Sequence, residues 1–171
     1  MLNGLRRRVR FAPVLALTWY EWFKAGHVLA SVAWVGGGAT LALYAVLTVR
    51  ERNPAEMASF ARKAGLIGER VYTPLSLLVL GLGFGLMENG QSPWTYDQFF
   101  VIFALAGWGV SAATGMIFLG PEAGRLGKLM PTRPPDDPEI QARIRRILMF
   151  ARADVILLLL IVFDMTAKPF L

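Results

Sequence analysis

Four apolar blocks of similar length constrain this chain more than any other feature. Val28–Leu47 carries no charged residue and Val49 extends it; Phe99–Gly120 is a second uncharged block. Val71–Met87 is shorter, and Ile67 and Gly68 lengthen its helix beyond the charged pair Glu69 and Arg70. The fourth block, Ile147–Ala167, contains Arg152, Asp154 and Asp164. A helix needs roughly 20 residues to cross the hydrocarbon of a bilayer. The expected fold is therefore all-α: a polytopic membrane four-helix bundle forming a single integral membrane domain over 1–171, with spans at 21–49, 67–88, 98–120 and 147–167. A hydrophobic share of 55% agrees, since soluble domains rarely reach it.

The net charge of +6 raises the question of nucleic acid. Its placement argues for lipid instead, because lysine and arginine gather at span ends and in connections, where they orient membrane proteins. Twelve of them, from Arg50 to Arg152, flank the first and third connections, against six at the other end: Arg6, Arg7, Arg8, Arg10, Lys24 and Lys168. The excess puts those two connections in the cytoplasm and both termini outside, in a bacterial inner (cytoplasmic) membrane. No cysteine is present, which excludes disulfides, thiolate chemistry and cysteine-ligated clusters. The basic N-terminus lacks a small-residue cleavage site after a short apolar region, so the first span reads as retained rather than as a removed signal peptide.

Helix starts are legible. Thr18-Trp-Tyr-Glu21 has the capping-box spacing, and Trp19, Tyr20 and Trp22 form an interfacial aromatic cluster. Asn53-Pro54-Ala55-Glu56 and Asp137-Pro138 offer two further starts, each with proline where its missing N–H costs little. A short surface helix is expected over 54–64, with Gly65 separating it from the second span, and Pro74 either opens that span or kinks a longer helix. Glu88-Asn-Gly-Gln-Ser-Pro93 reads as a hairpin between spans two and three. Pro131-Thr-Arg-Pro-Pro-Asp-Asp-Pro138 interrupts regular helix before the fourth.

Small residues recur along the spans. Gly36–Gly38, Gly81/Gly83/Gly85 and Gly107/Ser111/Gly115 make seams suited to close helix packing. On the first span His27, Ala30, Ser31, Trp34, Gly37, Gly38 and Leu41 share a face. His27 is the sole histidine, so it is either a ligand for a metal or haem iron or a packed helix-contact residue. Met87 and Met165 fall on the same outer side and are the candidate second axial ligands; a homodimer would instead supply a second His27. Asp154 and Asp164 are ten residues apart, about 15 Å along a helix, too far to form a catalytic pair. Each is either a proton or substrate group or a boundary anchor, Asp164 having helical spacing to Lys168.

At these residues the chain resembles a bacterial family of four-span integral membrane proteins of unknown function. More remotely it resembles the HemJ-type protoporphyrinogen oxidase and CopD-like membrane proteins. The likeness rests on Lys24-Ala-Gly-His27 with Ser31-Val-Ala-Trp34, on Glu69-Arg70 with Thr73-Pro74 and Gly81–Gly85, and on Leu157–Phe163 ending in Lys168-Pro-Phe170. The resemblance implies b-type haem held by His27 and redox chemistry on a porphyrinogen. The chain departs from that family at Asp97-Gln-Phe-Phe-Val-Ile-Phe103, which lacks the lysine expected at the entry to a later span. Two other classes stay open: an accessory or structural membrane subunit without a cofactor, bound to a membrane protein partner through its glycine seams, and a soft-metal permease using His27 and methionines.

Overall fold

The computed structural model describes residues 18–134 and 136–168. The basic cluster Arg6–Arg10 and the terminal Pro169-Phe170 lie outside the described residues. All regular structure among the described residues is helical: α1 (Trp19–Glu51), α2 (Pro54–Ile67), α3 (Thr73–Glu88), α4 (Phe99–Ala113), α5 (Gly120–Leu129) and α6 (Pro138–Ala167). Two widened π-helical turns, Gly68–Tyr72 and Thr114–Leu119, join α2 to α3 and α4 to α5. The chain therefore makes four long rods: Trp19–Glu51, Pro54–Glu88, Phe99–Thr132 and Pro138–Ala167.

The starts follow the caps read from the sequence. Thr18 and Glu21 form a reciprocal capping box, with the Thr18 N–H donating to Glu21 Oε2 at 2.7 Å and the Glu21 N–H to Thr18 Oγ1 at 3.3 Å. The Asn53 and Asp137 side chains accept the first free amides of α2 and α6, and each is followed by proline at the first helical position. Arg52 and Lys168 end their helices in the left-handed region, at φ 55° and 44°.

The expected break at Gly65 does not occur. Helix α2 runs through it, because its apolar side is buried against α5 rather than lying on a surface. A Cβ on Gly65 would meet the Gly124 amide nitrogen at 3.3 Å and the Gly120 carbonyl oxygen at 3.4 Å. This glycine serves close approach of two backbones, not a turn. Nor does the third apolar block end in a loop: α5 carries the helix on to Leu129, and a short 3₁₀ turn to Thr132.

Both π-turns have the same physical cause. A proline inside a helix offers no N–H and its ring crowds the carbonyl four residues earlier. In Thr73-Pro74 and Gly120-Pro121 the residue before the proline reaches back five positions, Thr73 N–H to the Gly68 carbonyl and Gly120 N–H to the Gly115 carbonyl. The wider turn takes up the disturbance, and the rods continue.

These two rods run antiparallel and cross at their glycines. On one side of the crossing α2 lies along α5; on the other, α3 and α4 touch only lightly. Helix α1 packs on α3, α6 packs on α4, and α1 meets α6. Two apolar cores result. Ala30 and Trp34 of α1, Val79 of α3 and Leu158 of α6 form one. Met57, Ala58 and Ala61 of α2, Leu126 of α5, Met130, and Ile140 and Ile144 of α6 form the other, with Ile140 wholly buried.

Three rods are long and apolar enough to cross a membrane; α6 is not among them, since its uninterrupted apolar stretch runs only over 155–163. A 33-residue helix measures about 50 Å against about 30 Å of hydrocarbon. Large apolar side chains stay exposed along the rods, among them Leu29, Leu78, Ile117 and Phe163. That exposure is compatible with a lipid-facing surface.

Candidate functional site

Around the crossing of the second and third rods, residues of all four rods line a half-open cavity of about 180 Å³. The two π-turns form its waist. Gly68 and Tyr72 of the first and Gly115, Met116 and Leu119 of the second all line it. Such turns interrupt helices frequently at functional sites, because they turn side chains and carbonyls out of the regular register.

The wall is mostly apolar, with a small polar group on one part of it: Thr73, Ser76, Ser111 and Asp154. Ser76 Oγ donates to the Thr73 carbonyl at 2.9 Å, and Thr73 Oγ1 to the Gly68 carbonyl at 3.2 Å. These two hydroxyls are therefore engaged with their own helix. Trp108 of α4 donates its indole N–H to the Ser76 carbonyl at 3.0 Å and ties the two diverging rods together beside the cavity. Gly37 of α1 makes room for Tyr72, whose hydroxyl lies 2.5 Å from where a Cβ would stand.

Asp154 is the charged member of the wall. Its carboxyl has Ser111 as polar neighbour, yet Oδ1 is buried without any hydrogen-bond partner. An unpaired buried carboxylate oxygen costs free energy unless a proton, a cation or a donor completes it. The sequence placed Asp154 near the inner interface as an anchor or a proton group; the structure sets it, partly buried, on the wall of a half-open cavity.

His27 stands elsewhere. It is not part of the cavity wall. Its Nδ1 lies 2.9 Å from the Val79 carbonyl oxygen, and its Cε1 would be 3.3 Å from a Cβ on Gly83. The carbonyl can only accept, so Nδ1 carries the proton and Nε2 keeps its lone pair. His27 thus clamps α1 to α3, and the glycine run of α3 is what lets it approach. That tautomer is also the one a metal-binding histidine adopts when a backbone carbonyl holds its second nitrogen.

Met87 ends α3 and Met165 ends α6, while His27 lies in the third turn of α1. Met87 Sδ accepts from the Ser92 hydroxyl at 4.0 Å. The other aspartate, Asp164, is only 4% exposed and its Oδ2 has no hydrogen-bond partner. The expected pairing of Asp164 with Lys168 does not form: Lys168 Nζ sits 3.4 Å above the Trp94 ring and 5.2 Å from Phe100. The reversal of φ at Lys168 ends the helical spacing that would have brought the pair together. Among the described residues no group of three or more histidine, cysteine, aspartate or glutamate side chains is placed to hold a metal ion.

A separate polar cluster lies past the apolar blocks. Glu122 of α5 accepts from Arg125 at 2.8 Å and from Arg143 of α6 at 2.6 Å; Arg143 also holds Glu139, which Arg133 pairs at 2.6 Å. Burial acts to raise the Glu122 carboxyl, but the two arginines override it and leave it below the usual range. Hydrogen bonds from Arg143 and the charge of Arg133 lower Glu139 likewise.

The glycine seams divide by position. Gly83, Gly85 and Gly107 pack against His27, Phe23 and Ile161, whereas Gly36, Gly81 and Gly115 have open space where a Cβ would be. Comparison with family models, with curated proteins and with solved structures finds no match. Sequence reading missed Tyr72, Ser76 and Trp108 as members of one site. The available signal was the Thr73-Pro74 and Gly120-Pro121 pair, each a helix disturbance in the middle of a long rod.

Proposed function

We propose that this chain is an integral membrane protein whose three apolar rods cross the bilayer with α6 packed against them, and that it binds a small ligand through Asp154, in the cavity between the two π-turns. The observation that carries the reading is Asp154 on the wall of that cavity, the one charged residue among those lining it. An ionisable side chain at membrane depth is a functional group by default, because its placement is too costly to persist without use. The cavity is smaller than the roughly 300–1,000 Å³ of drug-sized sites, so the ligand is correspondingly small. The lysine and arginine excess at the α1–α2 and α5–α6 connections supports a cytoplasmic position for that end, in a bacterial inner membrane.

The test compares small molecules that co-purify, in mild detergent, with the wild type, Asp154→Asn and Gly115→Leu. Gly115 lines the cavity and nothing lies within 4 Å of where its Cβ would stand, so leucine there fills space rather than forcing a clash. A species retained in fixed ratio by the wild type and lost from both variants is expected. Identical retention by all three folded proteins counts against the reading.

A second reading, b-type haem at His27, has its own support in the Nδ1–Val79 hydrogen bond, which leaves Nε2 as the free electron pair. Haem would supply one-electron chemistry, and His27 Nε2 would hold it while the Val79 carbonyl fixes the imidazole orientation. Oxidised and reduced visible spectra of the wild type and His27→Ala decide it. A stoichiometric b-type spectrum lost in the variant supports this site; a haem-free, well-folded wild type removes it.

A further inference from the structure

We infer that the ligand of the Asp154 cavity is a small organic ammonium ion with an apolar body; this rests on the reading of that cavity as a ligand site. Three features of the wall select the class. First, the one charged residue on the wall is an acid, Asp154, and a carboxylate in apolar surroundings favours a positive partner. Second, Trp34, Phe60 and Tyr72 line the same cavity, and aromatic faces attract cations most strongly where water is excluded. Third, the remaining surface is overwhelmingly aliphatic, which suits a hydrocarbon body.

Inorganic cations fit this wall poorly. Calcium takes about six to eight oxygen ligands and magnesium demands near-octahedral oxygen. Here the wall offers a single carboxylate, Asp154, and among the described residues no group of three or more histidine, cysteine, aspartate or glutamate side chains is placed to hold a metal ion. An ammonium head needs fewer partners: the Asp154 carboxylate as acceptor, with the aromatic residues of the wall in place of further oxygens. Its alkyl or aryl body then replaces the contacts that an empty apolar cavity forfeits.

Binding of radiolabelled benzylammonium to the full chain in lipid nanodiscs tests the class, with empty nanodiscs as the partition baseline and benzyl alcohol as the neutral counterpart. Expected is saturable one-site binding of benzylammonium, weakened at least tenfold by Asp154→Asn and abolished by Gly115→Leu. Benzyl alcohol should bind at least tenfold more weakly and be indifferent to Asp154→Asn. If both probes bind equally, are unaffected by Asp154→Asn and are lost in Gly115→Leu, the ammonium class is overturned while the cavity remains a ligand site. If neither binds saturably to folded wild type, both the class and the site reading fall. Circular dichroism and gel filtration of each variant establish that it is folded.

Discussion

His27 Nδ1 donates to the Val79 carbonyl across 2.9 Å, joining the first rod to the second. A hydrogen bond of this kind contributes about 0.5–1.5 kcal/mol. His27→Ala is expected to lower the unfolding free energy in detergent by about that amount, seen as a lower thermal midpoint. His27→Gln, which keeps a donor, should recover part of it. Equal midpoints for all three would show that the clamp contributes nothing to α1–α3 packing.

Glycine replacements should split by what each Cβ meets. Gly127→Ala puts a methyl 2.9 Å from the Arg62 backbone nitrogen, where α2 and α5 lie closest, and should destabilise the protein by about 1–3 kcal/mol. Gly36→Ala enters open space and should leave stability unchanged or raise it by about 1 kcal/mol through helix propensity. Thermal unfolding of the two variants side by side gives the comparison; the same loss in both contradicts the crossing geometry.

Isoleucines offer a second contrast. Ile140 is wholly buried among Met57, Ala61 and Leu126, whereas Ile117 is 77% exposed. Ile140→Ala should cost about 2–5 kcal/mol and Ile117→Ala close to none. Thermal unfolding of the pair checks this, and equal losses would contradict it. The contrast locates the tightest packing beyond the apolar blocks, in the lobe made by α2, α5 and α6.

Acid should weaken that lobe. Glu122 and Glu139 have carboxyls lowered by their arginine partners when folded. A lowered folded value means that their contribution is complete above the ordinary carboxylate range and is lost as pH falls through the lowered values. The thermal midpoint should therefore fall as pH drops below about 4.5, and Glu122→Gln should flatten that fall. A midpoint equally steep in the variant would assign the acid response to other groups.

The end caps and the all-helical class were readable because they depend on neighbours in sequence. Thr18 finds Glu21, and Asn53 and Asp137 find amides two or three residues on, whatever the rest of the chain does. The run of small residues around His27 was readable as a packing face for the same reason: helical spacing puts Ala30, Trp34 and Gly37 on one side. Gly65 was misread because a glycine that breaks a helix and one that admits a neighbouring backbone look alike in one dimension. Only the presence of Gly124 opposite it separates the two.

By itself, then, the sequence determined the helical class, three rods apolar enough for a membrane, the caps that start the rods, and the polar end that gathers most of the charge. These are short-range properties, set by hydrophobic run length and by side chains that bond within a turn. The tertiary structure alone decided that π-turns form just before Pro74 and Pro121, that α3 and α4 touch only lightly beyond them, and that Asp154 lines the cavity beside those turns. Those outcomes depend on how two antiparallel rods cross at small residues far apart in the chain, and no local pattern encodes the crossing.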